Sequence, residues 1–263
     1  MDLGLEGKVA IVAGASADAG RAAALLLGRE GARLILSGRR GDALEEVASA
    51  IKDAGGWALA VPADLTEPGA ADALVQQAVD ACGRVDLLAN TVGPFPLKAY
   101  GAGGPGPIYG DDDGWAEAFN GIFMSATRLT RAVMPHMKAQ GAGATVHLGS
   151  NSARYHSPMT GQFGAMKAAL VHVIKNWARD AAPHGVRVNA VLPGWIKGEN
   201  IAKRVAQSAR ESGTSEAEAE REMARGHDNL YWTPRMGRPE EYASAMAFLL
   251  SERASYINGA LLP

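Results

Sequence analysis

The sequence predicts an α/β fold, a doubly wound parallel sheet of about seven strands with helices on both faces. Three observations carry this expectation. Short apolar runs alternate with longer helical patterns along the chain. The runs are apolar at nearly every position, as strands buried on both faces must be. The first run passes through a Gly-containing turn directly into a helical pattern. Such alternation builds right-handed crossovers into a parallel sheet. A length of 263 residues suits one domain of this kind better than two small ones.

The expected strands are "KVAIVAG" (8–14), "RLILSG" (33–38), "WALAVPA" (57–63), "VDLLAN" (85–90), "TVHLGS" (145–150) and "VRVNAVLPG" (186–194). Helical patterns lie near 19–30, 41–54, 68–82, 112–139, 160–183 and 239–251. Asp111–Asp113 before Trp115 read as a helix start. The final "ALLP" reads as one more short strand. Two segments break the rhythm. Residues 93–110, "GPFPLKAYGAGGPGPIYG", are rich in Gly and Pro and read as a loop. Residues 195–235 are mostly polar and contain Ser215-x-x-Glu218, a capping box that opens a helix. An insertion after the C-terminal end of a strand reads as a lid over a site, with a solvated helical excursion as the plainer alternative.

Composition narrows the function classes. Hydrophobic residues make up 47%, enough to fill a core of this size. The net charge is −2 and the pI near 6.3. Without a basic stripe, nucleic acid is not expected as a partner. Cys82 is the single cysteine, so neither an internal disulfide nor a Cys-rich zinc site is expected. No His-Glu-x-x-His or comparable spacing suggests a metal site, and His147 on a buried strand reads as a satisfied core residue. The first residues, "MDLGLEGKVAIVAGAS", have no basic segment and only a short apolar run. Neither a signal peptide nor a membrane span is expected, and the expected location is cytoplasmic.

The stretch "VAIVAGASADAGRAAALLL" is a strand, a Gly-containing turn and a helix. A turn of this kind aims free backbone N–H groups and the positive end of the helix at a phosphate. Its pattern is Gly14-x-x-x-Asp18-x-Gly20, a loose signal alone. Further matches follow in order: Asp64 in "PADLT", Asn90 and Gly93 in "NTVG", Asn120 in "AFNGIF", Ser150, Lys167, "VRVNAVLPGWI", and "PRMGRPEEYASAMAFLLSERASYINGALL". On these residues the chain resembles the short-chain dehydrogenase/reductase family over almost its whole length. The resemblance implies a single Rossmann-type domain over 1–263, with a substrate lid at about 195–235. It also implies a nicotinamide dinucleotide held by Gly14, Ser16, Asp18, Ala19 and Gly20 of the turn. Asp64 and Leu65 would lie at the adenine, and Asn90, Gly93, Lys167, Pro193, Gly194 and Ile196 around the rest.

Several positions depart from the family pattern, whose turn reads Thr-Gly-x-x-x-Gly-x-Gly. Asp18 replaces a Gly. A carboxylate about 5 Å from a phosphate would be repelled by roughly 3 kcal/mol at an effective dielectric near 20. Turned away, it would instead cap the helix that follows it, worth about 0.5–2 kcal/mol, and that is the expected arrangement. Ala13 replaces a Thr, Thr91 an Asn, and Gly198 a Thr that often touches the nicotinamide amide. At the end of the second strand, where an acid would bind the ribose of NAD, the sequence is Ser37-Gly38-Arg39-Arg40. Arg39 suits a forked contact with a 2′-phosphate. NADP(H) is therefore expected over NAD(H), with NAD(H) left open.

At the reacting centre the resemblance implies a tetrad of Asn, Ser, Tyr and Lys. Asn120 would anchor a water relay, Ser150 polarise a carbonyl, and Lys167 hold the ribose and lower the Tyr pKa. Where the family has Tyr, this chain has Phe163, which exchanges no proton. A positioned acid or base typically contributes about 10²–10⁴-fold. Three readings stay open. Phe163 is an introduced Tyr→Phe change that leaves the rest of the centre intact. Alternatively Tyr155, or His156, supplies the proton, as in the family's dienoyl-CoA reductases, which carry their acid Tyr in this loop; double-bond reduction is then the reaction. In the third reading the protein binds a ligand without turnover. Pro94, Phe95, Met159, Trp195, Tyr231 and Trp232 are candidate walls of a pocket for a small-molecule substrate. Family members commonly pair helices like 112–139 and 160–183, so a homo-tetramer or dimer is expected.

Overall fold

The computed structural model describes residues 2–93, 111–155, 161–225, 233 and 235–263, the side chains of Asn200 and Arg225 apart. Its strands are β1 (Val9–Ala13), β2 (Arg33–Gly38), β3 (Trp57–Pro62), β4 (Leu87–Asn90), β5 (Gly143–Leu148), β6 (Val186–Val191) and β7 (Leu261–Leu262). They form one sheet in the order β3-β2-β1-β4-β5-β6-β7, with every pairing parallel. The order reverses between β1 and β4, and this switch opens a crevice at the C-terminal ends of those strands.

The helices are α1 (Asp18–Arg29), α2 (Gly41–Asp53), α3 (Ala70–Cys82), α4 (Asp112–Ala118), α5 (Ser125–Gln140), α6 (Gly161–Ala181), α7 (Glu199–Ser212), α8 (Glu216–Arg225) and α9 (Pro239–Leu250). Residues of the central strands alternate between two apolar cores. Ile11 and Ala13 pack with Leu74, Leu129, Leu170 and Ile174, on the face of α3, α5 and α6. Ala10 and Val12 pack with Leu27, Leu44, Met246 and Leu249, on the face of α1, α2 and α9. Both faces of each strand are thus covered, which is why no polar alternation marks the sequence.

Three expectations are corrected. The stretch 112–139 is not one α-helix: a π turn, Phe119–Met124, separates α4 from α5. Its Asp111 start is as expected, the carboxylate accepting the N–H of Gly114. The fifth strand, expected over 145–150, spans Gly143–Leu148. Ser150 leaves it because its hydroxyl accepts the N–H of Ser152 and starts a 3₁₀ turn over Asn151–Ala153. The sixth strand stops at Val191, short of 194. The loop expected over 93–110 lies outside the described residues beyond Gly93.

After β6 the chain forms α7 and α8. The expected capping box opens α8: Glu218 N–H donates to Ser215 Oγ, and Ser215 N–H to Glu218 Oε2. The pair holds a small core of its own, Val205, Ala209, Ala219 and Met236, with Trp195 and Ile201 against it. Ile196 bridges to Gly237, and Lys197 pairs with Glu220 at 2.5 Å. These contacts join the start and end of the excursion at its base.

Candidate active site

The turn after β1 is built for close approach. Gly14 has φ +86, and a Cβ on Gly20 would lie 2.1 Å from Gly14 O and 2.5 Å from Thr91 Oγ1. Thr91, which stands for an Asn in the family pattern, donates its hydroxyl to Ala13 O at 2.7 Å and fills the space beside both glycines. Ala17 is the N-cap of α1 and offers no side-chain acceptor. The first-turn N–H groups of α1 therefore have no side-chain cap, and they sit at the positive end of the helix. Ser16 is half-buried and Ala19 buried within this turn.

Asp18 does not cap α1, contrary to expectation. It has φ +44, the one non-Gly residue in the left-handed region among those described. Oδ1 instead accepts the N–H of Glu199, the first residue of α7, at 3.0 Å.

At the end of β2, Arg39 and Arg40 are both exposed. Arg40, which sequence reasoning passed over in favour of its neighbour, donates through Nη2 to Ser16 O at 3.0 Å. It thus lies along the Gly-containing turn. Arg39 lies near Asp64. The Asp64 carboxyl is held below its usual range, first by Thr66, whose hydroxyl and N–H both donate to Oδ1, and last by Arg39. Leu65 is buried beside it. No local pattern separates two adjacent arginines; only the path of the chain at the N-cap of α2 does so.

At the end of β4 the Asn90 side chain is buried and internally used. Nδ2 contacts His147 Nδ1 at 3.2 Å, and Oδ1 accepts the N–H of Val92. It shapes the turn toward Gly93 rather than offering its amide to a ligand. His147 is the satisfied core residue expected. Burial, with the charge of Lys167, pushes it down to about 3. With Asn90 donating to Nδ1, the ring proton sits on Nε2 and faces Thr130 Oγ1 at 3.5 Å.

Lys167, on α6, is 2% exposed. Its amine donates to Leu148 O at 2.6 Å, and burial pushes it down to about 8. A Cβ on Gly93 would lie 2.8 Å from that nitrogen, so a side chain there would displace the amine. Phe163, one helical turn before Lys167, packs against Ala118 and Ile122, its ring centroid 5.6 Å from Nζ. Ser150 is 9% exposed just beyond the end of β5. The Asn120 side chain points elsewhere: Nδ2 donates to Thr66 O, and Oδ1 accepts from Arg128. Asn120 therefore pins the π turn to the loop after β3 through its side chain.

Tyr155 is 44% exposed and lines a cleft of about 600 Å³ with Asn151, Arg154, Gly194, Trp195 and Tyr242. Ser150, Phe163 and Lys167 are not among its walls. Asn151 is buried next to Ser150, and its Oδ1 has no partner among the described residues. Pro193 accepts the N–H of Asn151 at 2.9 Å, which ties the end of β6 to the Ser150 turn. Pro94, Phe95, His156, Met159, Tyr231 and Trp232 lie outside the described residues.

A family model described as enoyl-(acyl carrier protein) reductase matches residues 14–263. A 7α-hydroxysteroid dehydrogenase of Escherichia coli (strain K12) is 30% identical over 263 residues, covering 99% of this chain and 94% of that protein. The chain belongs to the short-chain dehydrogenase/reductase family. The L-sorbose reductase of Gluconobacter frateurii, solved with NADPH and L-sorbose, is 30% identical, with a TM-score of 0.85 over 100% of this chain and 96% of its own. A 7α-hydroxysteroid dehydrogenase solved with NADH and 7-oxo glycochenodeoxycholic acid is 28% identical, with a TM-score of 0.80 over 99% of this chain and 94% of its own.

A dinucleotide of the kind these relatives hold fits this short-chain dehydrogenase/reductase on two observations. The turn between Gly14 and Gly20 leaves uncapped amides for an anion. The Asp18 carboxylate, which would oppose that anion, is engaged at α7. Among the described residues, no helix is long and apolar enough to cross a membrane.

Proposed function

We propose that the chain is an oxidoreductase that interconverts a carbonyl and an alcohol by hydride transfer, using NADP(H) in preference to NAD(H). The observation that carries the reading is the buried amine of Lys167, at about 8, set between Gly93, Leu148 O and residue 163. A bound nicotinamide dinucleotide supplies or accepts the hydride. The first turn of α1 would hold its diphosphate, Arg39 and Arg40 its 2′-phosphate end, and Lys167 its nicotinamide ribose. Ser150 would polarise the substrate oxygen. The helical pair α7–α8 is the lid in this reading, and Trp195 at its base is one wall of the substrate site.

Position 163 is read as the family's Tyr position, occupied by Phe. Its ring already lies beside Lys167, so one hydroxyl separates it from the family's acid. This supports a Tyr→Phe replacement over transfer of the role to Tyr155. The matching family model, described as an enoyl-(acyl carrier protein) reductase, favours the second reading, reduction of a double bond with Tyr155 as donor. Tyr155→Phe separates the two. In the first reading it leaves the activity of a Phe163→Tyr chain within about twofold, and in the second it abolishes turnover.

Cofactor choice is tested by calorimetry. NADPH is expected to bind about tenfold or more tightly than NADH. Arg39→Ala and Arg40→Ala should each weaken NADPH by roughly that factor and spare NADH, as the loss of a charge-assisted phosphate contact requires. NADH binding as tightly as NADPH overturns the preference. A homo-tetramer in the cytoplasm completes the proposal. Phe119, 45% exposed and stacked on Phe123 in the π turn before α5, supports a helix-paired interface. A monomeric mass by light scattering overturns it.

A further inference from the structure

Two departures from the family pattern, Asp18 and Gly198, meet at one contact although they lie far apart in the chain. Asp18 Oδ1 accepts the N–H of Glu199 at 3.0 Å. A Cβ on Gly198 would lie 1.9 Å from that same oxygen and 2.2 Å from Asp18 Cγ. Gly198 has φ −80, a backbone any residue adopts. Glycine at 198 is therefore required by the carboxylate and not by the backbone. Asp18 in turn keeps a left-handed φ of 44, a conformation disfavoured for a non-Gly residue. Arg40 adds a second link, since it bonds Ser16 O and its charge also acts on the Glu199 carboxyl.

The geometry points to Asp18 as a positioning residue: docked α7 holds its carboxylate away from the phosphate turn, so dinucleotide binding and lid docking favour one another. The inference rests on the dinucleotide reading above. α7 offers the carboxylate an amide at the positive end of a helix. Displaced from α7, the carboxylate has one nearby alternative of the same kind, the uncapped first turn of α1, where it would compete with the diphosphate. Coupling between two sites is reciprocal. A dinucleotide that needs the carboxylate parked at α7 must therefore stabilise α7 in its docked position.

The test uses the full chain with Gly198→Ala, Asp18→Gly and the double variant. Gly198→Ala should weaken NADPH binding about tenfold or more where Asp18 is present, and have no effect in the Asp18→Gly background, a non-additivity expected only of coupled residues. Asp18→Asn, which keeps an acceptor and loses the charge, should bind NADPH at least as tightly as the unaltered chain. Hydrogen exchange at the start of α7 gives a readout independent of turnover. It should be slowed by NADPH in the unaltered chain and speeded in Asp18→Gly without ligand. Equal NADPH affinity in the unaltered chain and Gly198→Ala overturns the inference and leaves the dinucleotide reading standing. Absence of NADPH and NADH binding in the unaltered chain and in every variant overturns that reading instead. Exchange at α7 that is identical with and without Asp18 removes the latch itself.

Discussion

Phe163→Tyr is expected to raise carbonyl-reductase activity at least roughly tenfold, and as far as the factor of about 10²–10⁴ that a positioned proton donor contributes. Dinucleotide affinity should change little. The residue is 7% exposed and packs on Ala118 and Ile122, so one added hydroxyl keeps the packing of the start of α6. The Lys167 amine already lies 5.6 Å from the ring centroid. Its charge would draw the new phenol's pKa down toward the working range, and a hydrogen bond there would offset the burial of the hydroxyl. The check is a paired assay of both chains with NADPH and a panel of ketones, polyhydroxylated ones included. Equal rates, abolished in both by Tyr155→Phe, would move the proton donor to Tyr155. No rate in either, without dinucleotide binding, would refute the enzyme reading.

The second large effect concerns Lys167 and pH. Burial holds its amine at about 8 against an ordinary value of 10.5. Between those values the unfolded chain binds a proton that the native chain has released. Stability therefore rises with pH across this window, from a penalty on the order of 3 kcal/mol below it. Lys167→Met should abolish the rise, because the apolar replacement does not titrate. The hydrogen bond to Leu148 O is lost as well, so the slope with pH is the diagnostic quantity rather than the absolute change. The same variant should weaken NADPH about tenfold or more, through loss of a charge-assisted contact. Denaturant melts at intervals from pH 7 to about 10.5 check the first part. A rise that persists undiminished in Lys167→Met would assign it to other groups.

Much of the fold was legible because its signals are local. Seven apolar runs, each long enough for a strand and short of a helix, lie between helical patterns, and the sheet pairs all seven in parallel. The capping box at Ser215 was legible for the same reason, since its two partners stand three residues apart. Boundaries were read less well. Ser150 counted as strand because Gly149 and Ser150 follow an apolar run, whereas its hydroxyl starts a turn. The π turn at Phe119–Met124 left no mark in a pattern that reads equally well as unbroken α-helix.

The site divides along the same line. The Gly14–Gly20 turn was legible from its strand–turn–helix pattern, which places such a turn at the C-terminal edge of a parallel sheet, whereas Ser150, Phe163 and Lys167 were singled out by the resemblance to the family. The sequence could not show that Asn90 and Asn120 spend their side chains on His147 and Thr66, nor that Arg40 rather than Arg39 follows the turn. It placed Asp18 at its own helix, the nearest acceptor-seeking amides along the chain. Only the tertiary structure brought Glu199 within 3.0 Å of that carboxylate, and only burial lowered Lys167. Hydrogen bonding and desolvation act between groups that are close in space, and residues 18 and 199 become neighbours only when the chain after β6 folds back across the turn after β1.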